Sequence, residues 1–160
     1  MKKKRTVFLC QSAIIAALYV VLTAVAAAFG LSSGEIQVRF SEALCILPCF
    51  FPAAVPGLAV GCLLANLLTG CAIVDVFLGA FATLLGAIGT YFLRKHKILM
   101  LIPPIVSNAV IIPIVLKFVY QLDSGYLYLV LTVTIGEIIS AGVLGFIFYS
   151  ALKKHLPKLK

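Results

Sequence analysis

Glu137 lies about eleven residues into a long apolar run that starts at Tyr126, which on a helix rising ~1.5 Å per residue is more than ~15 Å from its start. A carboxylate at that depth is costly, and by default it marks a ligand site or faces a partner. The structural alternative is a protonated or hydrogen-bonded glutamate that holds the fold together. Thr134 and Ser140 stand three positions to either side, on the same helical face. Asn108, with Ser107 beside it, and Asn66 are amides in similarly apolar surroundings, where asparagine either joins helices or meets a ligand. Glu42 and Asp75 each open an apolar run, a position in which a carboxylate also favours a helix N-terminus.

The longest polar passage between the termini is Gly34-Glu35-Ile36-Gln37-Val38-Arg39-Phe40-Ser41-Glu42. Its polar and apolar letters alternate, which suits an extended segment with one face of each kind. The plain reading is a solvated loop. The functional reading is a roof laid over a helical bundle, offering Gln37 and Arg39 to a ligand. Glu137, Glu42, Asp75, Asn66 and Asn108 would then line a pocket beneath it. Carboxylates, amides and one guanidinium suit a small polar heterocycle with several hydrogen-bond donors better than an anion.

Catalytic and metal chemistry find little support. The chain has no G-x-x-x-x-G-K-[ST], H-E-x-x-H or G-x-S-x-G, so neither a P-loop nor the common zinc and serine-hydrolase motifs are present. Both histidines, His96 and His155, lie in basic clusters, away from any triad. Cys45 and Cys49 are four apart, but two thiols are too few for a zinc site. An odd count of five cysteines in apolar surroundings reads as small buried residues and not as a disulfide framework. No cofactor or metal is expected.

These side chains must be positioned by membrane helices. Hydrophobic residues make up 63% of the 160, charged residues only 11%, and the mean hydropathy is +1.19. Soluble domains are about half apolar and about a quarter charged. The apolar runs are continuous, which points to helices and not to a barrel. The net charge of +8 raises nucleic acid as a partner. Eleven of the thirteen Lys and Arg, however, fall in the clusters 2–5, 94–97 and 153–160, each against an apolar span. That is the signature of cytoplasmic membrane flanks, and no nucleic-acid partner is expected.

The first span is Thr6 to Phe29, long enough to be an uncleaved anchor and longer than the apolar core of a signal peptide. Its Ala13, Ala17, Ala24 and Ala28 recur at helical spacing. They form a smooth stripe for packing within the bundle or for docking another membrane protein. Pro48, Pro52 and Pro56 break the next apolar stretch. Only two helices there, near 41–50 and 53–69, bring the 94–97 cluster to the same side as the N-terminus. Both fall short of the ~20 residues that span the hydrocarbon and need shielding by protein. The spans Ile73 to Leu93, Ile98 to Tyr120 and Tyr126 to Leu152 complete the chain. Gly79, Thr83, Gly86 and Thr90 mark a second small-residue face, and Pro103, Pro104 and Pro113 are expected to bend the fifth span. The expectation is an all-α membrane protein: one domain over 1–160, a bundle of six transmembrane helices with both termini cytoplasmic, in the cell membrane. All five acidic residues then fall toward the outside, joined there by Arg39 and by Lys117, which is expected to snorkel outward.

Residues 36–44, Ile-Gln-Val-Arg-Phe-Ser-Glu-Ala-Leu, resemble the signature of the QueT family. So do Pro52-Ala53-Ala54-Val55-Pro56-Gly57-Leu58, Gly61-Cys62, Ala65-Asn66-Leu67 and the Asp75…Gly79…Ala82-Thr83-Leu84 run. The resemblance covers most of the chain. It implies a substrate-binding S component of an energy-coupling-factor (ECF) transporter for queuosine precursors, which are 7-deazaguanine bases. It also implies six helices, an outward pocket, and two kinds of partner: a T component and a pair of cytoplasmic ATPases. An alanine motif in the first helix would contact the T component, and Ala13-x-x-x-Ala17 matches it. The alternatives are an S component for another small heterocyclic vitamin, or an intramembrane enzyme or sensor.

Overall fold

The structure, a computed structural model, describes residues 2–31 and 37–155. Glu35, expected on the outer face, lies outside the described residues, as does the start of the alternating passage. Every regular element among the described residues is helical. Helix α1 (Lys2–Ala28) leads to a 3₁₀ helix (Phe40–Cys49), then α2 (Ala54–Leu68) and α3 (Ile73–Leu93). A 3₁₀ turn (Leu99–Leu101) opens α4 (Ile102–Phe118). The last rod joins α5 (Tyr126–Glu137), a π-helical stretch (Ile138–Leu144) and α6 (Gly145–His155).

Among the described residues, four helical stretches are long and apolar enough to cross a membrane: Lys3–Ala28, Ile73–Leu93, Leu99–Phe118 and Tyr126–His155. The 3₁₀ helix and α2 are shorter and correspond to the two short pieces expected at 41–50 and 53–69. The break between them falls at Pro48 to Pro52, where proline withholds backbone donors. Here Ser12 Oγ on α1 donates to the Ala53 carbonyl at 2.8 Å, which also accepts from the Gly57 N–H, so α1 is tied to the first turn of α2.

The 3₁₀ helix is the centre of the molecule. Ser41, Glu42 and the run from Leu44 to Pro48 are buried, and the helix packs against α1, α3, α6 and the π stretch. Runs of 3₁₀ longer than three or four residues are uncommon, and non-α backbone at membrane depth persists where protein encloses it. Below it, Ile15, Tyr19, Leu44, Leu47, Leu58 and Ala87 share one apolar core. A second cluster of Ile112, Leu116, Leu129 and Val133 joins α4 to α5.

Close helix contacts follow the small residues. A Cβ on Gly61 would sit 2.7 Å from Tyr19 Cβ and 3.0 Å from Ala16 Cα, so α2 rides directly on α1. A Cβ on Gly86 would sit 2.7 Å from Pro104 Cα, so the small-residue face of α3 receives the prolines of α4. The stripe Ala13, Ala17, Ala24 and Ala28 is exposed and takes no part in this packing. Exposed apolar side chains such as Phe77, Phe81 and Phe92 cover the outside of α3, as a lipid-facing surface requires. Lys117 does not snorkel freely. Its Nζ is bound by the carbonyls of Leu122 and Ser124 at 3.0 and 3.2 Å, so it caps the loop after α4.

Candidate functional site

A cavity opens where the extended residues Gln37–Arg39 pass over α2, α3, α4 and α5. Gln37 and Arg39 line its roof, and Glu42 enters from the 3₁₀ helix. Cys62 comes from α2, Gly79 and Thr83 from α3, Asn108 and Ile112 from α4, and Val133 and Glu137 from α5. Its free room is about 10 Å³ for the centre of a water molecule, space for about one water.

The roof is keyed to the floor. A Cβ on Gly136 would collide with the Gln37 carbonyl oxygen, so the segment rests on bare helix backbone beside Glu137. The Arg39 N–H donates to Ser140 Oγ at 3.1 Å. Ser140 belongs to the π stretch, whose wider i→i+5 turns shift side-chain register within the rod. Ser140 is thereby buried beside Glu137, whereas Thr134 donates to its own helix at Val130 and leaves the site.

Arg39 is held by two neutral amides. Its guanidinium donates to Asn66 Oδ1 at 3.3 Å and to Gln37 Oε1 at 3.1 Å. Burial works against its charge, but the surrounding acidic groups, Tyr19 first, then Cys62, Glu42 and Asp75, more than offset this and hold the guanidinium above its ordinary value.

The two cavity carboxylates are in different situations. Glu42 accepts from the Tyr19 hydroxyl on one oxygen and from Cys45 Sγ at 3.1 Å on the other. Both of its oxygens therefore have donors. Glu137 accepts from Asn108 Nδ2 at 3.0 Å on Oε1, while its Oε2 is buried and has no hydrogen-bond partner among the described residues. A buried oxygen in this condition costs free energy until a donor reaches it.

Five of the seven residues singled out as ligand candidates from sequence therefore line one cavity: Gln37, Arg39, Glu42, Asn108 and Glu137. Asn66 stands behind Arg39 and orients it. Asp75 is one turn further out and accepts from the Tyr120 hydroxyl at 2.8 Å, which ties the start of α3 to the end of α4. Tyr19, Cys45, Cys62 and Thr83 escaped the sequence reading as site groups. The thiols do more than fill space, since Cys45 donates to Glu42 and Cys62 lines the cavity. Tyr19 did leave a signal: it lies mid-span, whereas Tyr126, Tyr128 and Tyr149 lie near span ends. Ala13 and Ala17 lie on the outward surface of α1, away from the cavity.

The profile of the QueT transporter family matches residues 9–154. Over 84 residues the chain is 38% identical to a protein named "Queuosine precursor transporter QueT" from Lactococcus lactis subsp. cremoris (strain MG1363). The match takes in 52% of this chain and 49% of that protein, so the chain spans about half the length of the curated relative it matches. No solved structure matches the chain.

Proposed function

The chain belongs to the QueT transporter family, and from that premise we propose that it is the substrate-capturing S component of an ECF importer for a queuosine precursor. In this reading it binds a 7-deazaguanine base from outside and passes it inward with a T component, powered by two separate cytoplasmic ATPases. The absence of a P-loop sequence accords with energy supplied by other subunits. The reading carries six transmembrane helices, the 3₁₀ helix and α2 counted among them, with both termini in the cytoplasm. The exposed Ala13 and Ala17 form the face that meets the T component.

The observation that carries the substrate proposal is the unpartnered Glu137 Oε2 in a cavity of amides, a guanidinium and a second carboxylate. A 7-deazaguanine presents a ring N–H and an exocyclic amine side by side, and a carboxylate accepts from both at once, as it does from a guanidinium fork. Glu137 is better placed for this than Glu42, whose two oxygens already have donors. Arg39, Gln37 and Asn108 serve the remaining edges. The cavity's free room, about 10 Å³, is too small for a bicyclic base, so residues 37–39 lift to admit it. Among the described residues neutral amides hold Arg39, so no ion pair between them has to break.

Calorimetric titration of the purified chain with a 7-deazaguanine base tests this. Glu137→Gln keeps the shape and replaces an acceptor with a donor. A charge-assisted hydrogen bond contributes ~1.5–3 kcal/mol, so affinity should fall about ten- to a hundredfold while folding is spared. Unchanged affinity removes Glu137 from the site, and failure of the unaltered chain to bind any deazaguanine removes the substrate.

A further inference from the structure

At the C-terminal end of the rod, beyond the π stretch from Glu137, lies a second cleft, of about 330 Å³, lined by Lys97, Phe146, Tyr149, Ser150, Lys153 and Lys154. Its lysines come from two elements, the turn after α3 and the last turns of α6. Their stems converge on an aromatic wall. Tyr149 packs against Phe146 with ring centroids 6.4 Å apart and against Phe50 at 5.4 Å. The Lys153 ammonium stands 5.8 Å from the Tyr149 ring centroid, within cation–π range.

No described carboxylate answers these three charges. Glu42 and Glu137 line the outer cavity, Asp75 is held by Tyr120, and Asp123 is in the loop after α4. Converging cations without a counter-charge repel one another, and an anion placed among them relieves this. The wall of the cleft continues along α6 into exposed apolar surface: Phe146 is 44% and Ile147 59% exposed. An anion with hydrocarbon attached therefore fits better than a free one. Basic pockets at the ends of membrane helices suit phospholipid headgroups for this reason.

We propose that this cleft is a binding site for an anionic phospholipid, its phosphate among Lys97, Lys153 and Lys154 and its acyl chains along Phe146 and Ile147. Occupancy would bind the end of α6 to the α3–α4 turn and fix the depth of the rod in the bilayer.

The test is native mass spectrometry of the full chain in detergent, titrated with phosphatidylglycerol or phosphatidylcholine. A Lys97→Gln/Lys153→Gln/Lys154→Gln variant is set beside a Lys3→Gln/Lys4→Gln/Arg5→Gln control, which removes the same charge at the exposed start of α1. The expected result is one retained phosphatidylglycerol, preferred over phosphatidylcholine. Its affinity should fall roughly tenfold or more in the first variant and stay unchanged in the control. Equal losses in both variants would reduce the effect to diffuse surface charge and overturn the site. Displacement by millimolar inorganic phosphate would make the ligand a free anion. Unchanged lipid retention, with loss of a co-purifying membrane protein from cells, would assign the lysines to an acidic protein surface. Both of these outcomes overturn the lipid.

Discussion

Glu137 and Glu42 share a cavity, yet one oxygen distinguishes them. Sequence reasoning reached both, together with Gln37, Arg39 and Asn108, because polar groups in an apolar chain are expensive and so conspicuous. It did not reach the donors to Glu42, Tyr19 and Cys45, because a cysteine in an apolar run draws no notice and the only mark on Tyr19 was its mid-span position. Tyr19 is fully buried and donates to Glu42. Tyr19→Phe leaves that carboxylate oxygen short of a donor, and should lower stability by about 1–3 kcal/mol. The midpoint of thermal unfolding in detergent reads this directly. An unchanged midpoint would mean that Glu42 draws its support from elsewhere.

Among the elements, the roof and the rod are the coupled pair. Gly136→Ala drives a methyl into the Gln37 carbonyl oxygen, and a backbone carbonyl yields only if the whole segment lifts. Overpacking of this kind costs ~1–3 kcal/mol. Affinity for a deazaguanine base should therefore fall about tenfold, mainly through faster release in stopped-flow measurements. Gly142→Ala is the control, because its nearest neighbour would be 3.7 Å away; equal effects from both would dissociate the roof from Gly136. For α1, Ala13→Leu with Ala17→Leu adds bulk to exposed positions. The isolated chain should still bind the base, while assembly with the T component should fail. Normal assembly of that variant in a pull-down from its own membrane would release the stripe from docking. Prolines and charge disclosed the two short central helices. The 3₁₀ and π pitches were not legible, since neighbouring helices set them and no local residue pattern encodes them.

For the molecule as a whole, charge is divided between two ends. Arg94, Lys95, Lys97, Lys153 and Lys154 lie at the end where Phe50 meets Tyr149, and Asp123 lies in the loop after α4. With the basic end inside, an impermeant thiol reagent applied to intact cells should label Asp123→Cys and spare Lys95→Cys. The background would lack Cys10, Cys49 and Cys71. Labelling of position 95 from outside would reverse or dismantle the topology. Hydropathy made the four long apolar helices readable, because it reports on lipid and not on packing detail. The π stretch, finally, joins two machines on one shaft: the carboxylate above it and the lysine cleft below. Deleting one residue from Ile138–Leu144 would let that stretch tighten to α pitch, so that Tyr149, Lys153 and Lys154 keep nearly their present face, while Ser140 is drawn away from the Arg39 N–H that it now accepts.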